Sequence, residues 1–295
     1  MKKIMSIVFI LVSILSVSCF ADETDPVEIL KKMRDTYKSM ETYKSEGIRT
    51  IDTERDNQKS EMVTSYSILL KKPNLYRISY ETTFTLGSND VAGTIWSDGV
   101  QPYEYQSGTK SYSELSTDLN AIGRAAAMSS PTIIFTFFSS MLEEPWEFFE
   151  RFENVKLGGI EKIKDEECYV ISADLKVSPE EIYWRTSKEI DRVTRKEIFW
   201  ISKARSVIVK HTASVEDSEV EYVIPDDQII RMLKEMEQPV NEETMKELKT
   251  KMQMGPSNIK WVLTGTQTQI ASPELTAADF RFALPEGTLL EKEKD

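Results

Sequence analysis

The chain has 295 residues, with 37 Lys and Arg against 49 Asp and Glu, a formal charge of −12 and 40% hydrophobic content. That length allows one large domain or two small ones with a substantial core. The acidic balance, without any Lys/Arg cluster, argues against nucleic acid as a partner and against attraction to anionic headgroups.

Met1-Lys2-Lys3 is a short positive segment, Ile4 to Val17 is apolar apart from serines, and Ser18-Cys19-Phe20-Ala21 offers small residues for cleavage. This pattern is a secretory signal peptide over 1–21, too short to serve as a membrane span. The exported chain then runs over 22–295. If cleavage follows Ala21, Cys168 is the sole thiol and no intramolecular disulfide can form. Lipidation of Cys19, with the small Ser18 before it, is the alternative maturation.

Asp25 can cap a first helix, Pro26 suits its first position and Glu28 completes a capping box. Val27, Leu30, Met33, Tyr37 and Met40 recur at spacings of three and four, which predicts one apolar stripe. Met62, Tyr66, Ile68 and Leu70 share one face of a strand ending at Lys71-Lys72-Pro73-Asn74. Tyr76, Ile78 and Tyr80 share one face of the next, so the pair reads as a hairpin. Asp98-Gly99 and Ser107-Gly108 mark further turns around Thr94 to Leu115, giving an antiparallel sheet built by local meanders.

The middle of the chain is helical in pattern. Asp118 to Met128 carries an alanine cluster, and Pro131 opens a segment, Thr132 to Phe138, that is apolar nearly all round. Glu143 to Phe149 follows as a third short piece. Strands are expected again from Val155, with a Gly158-Gly159 turn, and over Cys168 to Leu175, Glu197 to Ile201 and Ser206 to Val215. Lys176 to Lys196 reads as a charged insertion. Asp226 to Met254 reads as two helices broken near Pro239 and stopped by Gly255-Pro256. Asn258 to Ile270 and Phe280 to Leu284 complete the predicted strands, and Glu291 to Asp295 is a solvated tail. The expectation is a single domain over 22–295 with insertions at about 176–196 and 226–254.

Few residues suggest catalysis. His211 lies on a Val207-Val209-His211-Ala213 strand face and reads as a core or rim histidine; one histidine cannot supply the usual zinc constellation. Cys168 sits in a strand without a basic cluster to lower its pKa. Carboxylate pairs such as Glu143-Glu144 and Asp226-Asp227 read as helix-start charges. The chain is therefore expected to be no enzyme, with no metal site and no cofactor.

The candidate site is apolar. Ile133, Ile134, Phe135, Phe137, Phe138 and Met141 form either an ordinary core helix or the lining and lid of a cavity. Tyr66, Ile68 and Ile78, with Tyr76 and Tyr80, face either a concave side of the sheet or the first helix.

Ile95-Trp96-Ser97-Asp98-Gly99, then Tyr103-Glu104-Tyr105 and Tyr112, resemble the exported LolA-like proteins, which include lipoprotein carriers, their receptors and stress regulators of the RseB kind. Glu167 to Ile171, Phe199-Trp200-Ile201 and the ending Phe280 to Gly287 fit the uncharacterised branch of that family. The resemblance implies an α+β fold: a half-open antiparallel β-barrel with an N-terminal helix, covering helices and, here, a helical insertion. It implies a periplasmic, non-enzymatic protein that binds lipid, lipoprotein acyl chains or another apolar ligand in lipoprotein sorting or envelope lipid transport. The alternative it offers is an envelope-stress regulator acting through protein contact, with 226–254 as the surface for an envelope protein. Ser202 follows Trp200-Ile201 where relatives often carry Asp, and the insertion from Asp226 lies outside the common plan.

Overall fold

The computed structural model describes residues 25–55, 57–85, 90–115, 151–177, 193–222, 226–235, 238–252, 254–271 and 273–290. The expected helices between Asp118 and Phe149, including Ile133, Ile134, Phe135, Phe137, Phe138 and Met141, lie outside the described residues, as do 1–24 with Cys19.

One helix, α1 (Pro26–Ser39), precedes a long meander: β1 (Thr42–Arg55), β2 (Gln58–Lys71), β3 (Leu75–Phe84), β4 (Val91–Asp98), β5 (Pro102–Gln106) and β6 (Ser111–Glu114). A second meander comprises β7 (Phe152–Ile163), β8 (Glu166–Val177), β9 (Val193–Ser202) and β10 (Ile208–Tyr222). Helices α2 (Asp226–Glu235) and α3 (Glu242–Met252) then lead into β11 (Met254–Ala271), and β12 (Leu289–Leu290) ends the order. The described strands form one sheet, ordered β12-β6-β5-β4-β3-β2-β1-β11-β10-β9-β8-β7. All pairings are antiparallel except that of β12 with β6. The sheet is open, since its edge strands β12 and β7 are not neighbours, and the fold is mostly β.

The first helix forms for local reasons. Asp25 Oδ1 accepts the Val27 N–H at 2.9 Å, Pro26 occupies the first turn and Lys38 the last. Glu28 pairs with Lys31 at 2.6 Å rather than reaching back to the cap. Ile29, Leu30, Met33 and Tyr37 are buried, while Val27 is 38% exposed. The predicted stripe is buried at Leu30, Met33 and Tyr37, with Met40 packed against the same core, but its first member is Ile29 rather than Val27. Each fully buried side chain of this size contributes about 2 kcal/mol.

That stripe joins a core drawn from both meanders: Tyr66, Ile68, Ile78 and Ile95 on one side, and Phe152, Ile171, Leu175 and Phe199 on the other. The helix packs against β7, and its Lys38 carbonyl accepts a hydrogen bond from Lys72 beyond β2. β7 and β2 stand six strand spacings apart, about 29 Å in a flat sheet, against a helix about 21 Å long. The sheet therefore curls around α1, and the face turned to the helix is called the inner face below.

The outer face holds a second aromatic group. Trp96 stacks on Tyr103 with ring centroids 5.2 Å apart, and Phe282 lies 5.0 Å from Trp96 and 5.5 Å from Tyr105. Phe282 arrives on a C-terminal strap that crosses the sheet. Thr42 and Lys71 donate to the Pro273 and Leu275 carbonyls at 2.5 and 2.6 Å, and Arg77 Nη1 donates to the Arg281 carbonyl at 3.2 Å. Phe280 is buried at the end of a 3-10 turn (Ala277–Phe280), so the strand expected over Phe280 to Leu284 is instead this strap.

Three further corrections concern register. Gly158-Gly159 is not a turn: it lies inside β7, where the pairing shifts between Leu157 and Gly159 and Gly159 takes φ 117°. A bulge there needs one residue with positive φ, which glycine adopts without strain. The β8–β9 ladder continues to Val177 and Val193, so the ends of the stretch expected as an insertion at 176–196 are strand, and 178–192 lies outside the described residues. Between Asp226 and Met254 two helices do form, but β11 already begins at Met254, and Gly255-Pro256 lies within its bounds. Ile229 and Leu233 of α2 pack with Met245 and Leu248 of α3 as a small cluster of their own.

Candidate functional site

The register places the inner face row by row. Tyr43, Ser45, Gly47 and Arg49 of β1 stand opposite Leu70, Ile68, Tyr66 and Thr64 of β2, and Ile68, Ile78 and Ile95 run on across β3 and β4. Tyr66, Ile68 and Ile78 are therefore brought together, buried in the core that α1 joins. Tyr76 and Tyr80 share that face.

The next row departs from this apolar pattern. Arg49, Gly265, His211, Phe199, Ile171 and Leu157 stand side by side on β1, β11, β10, β9, β8 and β7. His211 faces inward because the β9–β10 pairing shifts between Ile208 and Lys210. That irregularity turns Val209 to the outer cluster with Cys168, Val170 and Trp200, and separates it from the face it was expected to share with His211. Lys210, on the same outer side, lies 4.2 Å from the centroid of the Trp200 ring.

His211 is only 9% exposed. Its ring stacks on Phe199 at 4.8 Å and 10°, and its Nε2 donates to Glu197 Oε2 at 2.6 Å. Glu197 has no exposed surface and also accepts from Arg195 Nε. Burial by itself raises the Glu197 pKa, but His211 and Arg195 outweigh it and hold the carboxyl below its ordinary value. A buried carboxylate with two cationic or hydrogen-bonding partners is the arrangement such a charge requires. The register neighbours of His211 on this face are Phe199 and Gly265.

Arg49 is 2% exposed, and burial pushes its guanidinium down to about 10, so it stays protonated at neutral pH. Between Arg49 and His211 lies Gly265, which is itself buried, although a Cβ built there meets no atom of the described residues within 4 Å. Beside Arg49, the Tyr66 ring leans over Gly47, and its buried hydroxyl has no hydrogen-bond partner among the described residues. Burial raises the Tyr66 pKa; the charge of Arg49 opposes the shift.

A polar clamp fixes α1 over this surface. The Ile208 N–H donates to Tyr37 Oη at 3.0 Å, Gln267 Nε2 donates to the Ile208 carbonyl at 2.6 Å, and Tyr43 Oη donates to Gln267 Oε1 at 2.5 Å. All four residues are buried, so each polar group needs this partner.

Elsewhere the chemistry is sparse. Cys168 is buried on the outer side, and burial, then Glu166, pushes its thiol up to about 11. Among the described residues no three His, Cys, Asp or Glu side chains gather as metal ligands. An open depression of about 430 Å³ on α1 is lined by Glu28, Lys31, Lys32, Asp35, Thr36 and Ser39, a charged surface unsuited to an apolar chain. No described helix is long and apolar enough to cross a membrane.

Arg49, Arg195, Glu197 and Gly265 were not legible as site residues. The only available signal was position: odd-numbered residues from Tyr43 to Arg49 share a face, but that face reads as polar.

No curated protein sequence matches the chain. Among solved structures it is similar to the Mycobacterium tuberculosis lipoprotein LppX, with a TM-score of 0.40 and 10% identity over 85% of this chain and 97% of that one. It is also similar to a LolA superfamily protein from Nitrosomonas europaea, with a TM-score of 0.30 and 12% identity over 87% and 97%. A third is MucB in its complex with MucA from Pseudomonas aeruginosa, with a TM-score of 0.31 and 9% identity over 88% of this chain and 61% of that one. The match to a family model is the decisive one: it covers residues 26–222, from the first residue of α1 to the last of β10. The chain therefore belongs to the DUF2092 family of predicted periplasmic proteins.

Proposed function

We propose that this is a non-enzymatic periplasmic protein that holds a lipid, a lipoprotein acyl chain or another apolar ligand against the inner face of its open sheet. One observation carries the reading. The inner face spans strands of both meanders and is apolar over most of its rows, while α1 is about 21 Å long and about 10 Å wide. A broad curled sheet with an apolar inner face is the kind of concave frame that can hold an acyl chain between sheet and cover.

The energetics agree. An acyl chain of ~16 carbons gains about 12 kcal/mol on leaving water, at about 0.8 kcal/mol per CH₂. A bilayer offers a similar gain, so such a protein exchanges its ligand with a membrane at little net cost. The family assignment, predicted periplasmic, supports a location where such exchange occurs. The residue motifs from Ile95 to Tyr112, which resemble LolA-like proteins, point the same way.

The test is extraction of the exported protein, purified from its host envelope without detergent, followed by mass spectrometry of the extract. A stoichiometric lipid is expected. An empty protein that also ignores added lipids would sink the reading.

A second reading is regulation through protein contact. It draws on α2 and α3, which pack on each other as a cluster separate from the main core, between β10 and β11. Replacing 226–253 by a short turn separates the two: a lipid binder keeps its ligand, whereas a regulator loses its envelope partner.

A further inference from the structure

The C-terminal strap lies on the outer face of the first meander as an extended peptide lies in a groove. Its carbonyls at Pro273, Leu275 and Arg281 accept from Thr42, Lys71 and Arg77 on β1, β2 and β3. At its far end the Leu289 N–H donates to the Lys110 carbonyl at 3.1 Å, and β12 pairs with β6. Two aromatic side chains anchor the crossing. Phe280 is buried, and Phe282 packs on Trp96 of β4 and Tyr105 of β5.

Two independent features make this element transferable between copies. The first is that its own structure travels with it. Asp279 Oδ2 accepts the Thr276 N–H at 2.7 Å, the Arg281 N–H donates to the Ala278 carbonyl, and the Thr288 N–H donates to the Pro285 carbonyl. Pro273, which has no N–H, cannot extend the β11 ladder into the strap. The second feature is apolar surface. Leu284, Leu289 and Leu290 are 37, 69 and 46% exposed although the strap is seated on its own chain. Large side chains exposed so close together mark a contact surface.

We infer that the groove beneath the strap is a docking site for the strap of a second copy of this chain, so that two molecules exchange straps and form a two-fold dimer. The fit names the occupant. An identical strap makes the same hydrogen bonds and aromatic contacts in the other molecule as in its own, which leaves mainly concentration to oppose the exchange. A buried aromatic side chain contributes about 150–250 Å², so two anchors on each of two straps bring about 600–1,000 Å². The strap backbone and the leucines carry the contact past about 1,200 Å², where stable interfaces begin. The groove lies on the face opposite α1, so this dimer is independent of what the inner face holds.

The test uses the full exported chain with cysteines at register partners: Ser111→Cys, Leu289→Cys and the double variant. Neighbouring strands lie about 4.8 Å apart, within disulfide reach. The buried Cys168 stays silent. The two single variants, one of them isotope-labelled, are mixed at about 100 µM, oxidised and weighed without reductant. A disulfide-linked heterodimer at twice the monomer mass is expected. A mixture that stays monomeric, while the double variant closes within one chain, overturns the exchange and leaves the strap bound only to its own molecule. A linked homodimer of Leu289→Cys alone also overturns it, because the straps then touch side by side. A double variant that closes neither way overturns the docked strap itself. Sedimentation of the unaltered protein at the same concentration decides the matter even if the variants do not fold: a dimer is expected, and a monomer overturns the proposal.

Discussion

Tyr66 stands opposite Gly47 across β1 and β2, and its Oη lies 2.3 Å from the point where a Cβ on Gly47 would be. The relation recurs two strands away, where Tyr80 Oη lies 2.4 Å from the Cβ position of its partner Gly93. Because Tyr66 and Tyr80 are themselves paired, one row reads Gly47, Tyr66, Tyr80, Gly93, with each ring lying outward over a glycine. Aromatic cover of a strand glycine restores the packing that the missing side chain forfeits.

Gly47→Ala is therefore expected to destabilise the fold by about 1–3 kcal/mol. The new methyl meets not only Tyr66 but also the Thr266 carbonyl at 2.6 Å, a backbone atom that cannot swing away. Thermal unfolding measures the loss. Adding Tyr66→Ala should relieve only part of it; full recovery would show that the ring, not the backbone, sets the limit.

Tyr37→Phe is expected to cost about 1–2 kcal/mol, since it leaves the buried Ile208 N–H without its acceptor. The phenyl ring keeps the packing, so the cost is read as a lower melting temperature with unchanged circular dichroism. Amide exchange at Ile208 should accelerate more than that of its neighbours.

Stability should fall in acid through Glu197. Its carboxyl is held below the ordinary 4.5 in the folded chain, so its contribution is complete above that pH and drains away as the pH falls through the folded value. Glu197→Gln should cost about 3 kcal/mol at pH 7, by leaving Arg195 without its buried counter-charge. The difference between the two proteins should shrink below about pH 4.5. Urea midpoints from pH 3 to 8 supply the measurement. The half-exposed Glu166, lowered by Arg205, acts in the same window, so the acid slope flattens only in part.

Cys168 should resist maleimide in the folded protein at pH 8 and react stoichiometrically after denaturation. Its thiol is buried, and a pKa of about 11 leaves little thiolate. Rapid labelling of the native protein would show that the outer cluster opens.

Much of this architecture could be read from the chain alone, where apolar alternation is strong. The β2–β3 hairpin is announced by Tyr66, Ile68 and Leu70 against Tyr76, Ile78 and Tyr80, and its partners pair as the alternation suggests. By contrast β1, which pairs with both β2 and β11, was not anticipated. Its inward residues are Tyr43, Ser45, Gly47 and Arg49, so a period-two hydrophobic signal is absent where the burial is deep. His211 could be found, but its setting could not. The irregularity near Val209 breaks the alternation, and the partners Glu197 and Arg195 come from another strand. The polar positions of the inner face are legible only once the register is known.

The position of β11 has a consequence for how the chain reaches this state. β11 is the last long strand, yet it lies between β1 and β10, and Lys44 at the start of the chain pairs with Ala271 near its end. Each meander can zip up locally, but they join only when the final strand arrives, which makes folding slow and dependent on distant contacts. A chain emerging N-terminus first therefore presents the bare edge of β1 until almost all of it has crossed the inner membrane. During that interval its unpaired backbone is open to any passing strand, its own relatives included. Protein quality control in the envelope should meet this molecule most often before β11 has closed the gap.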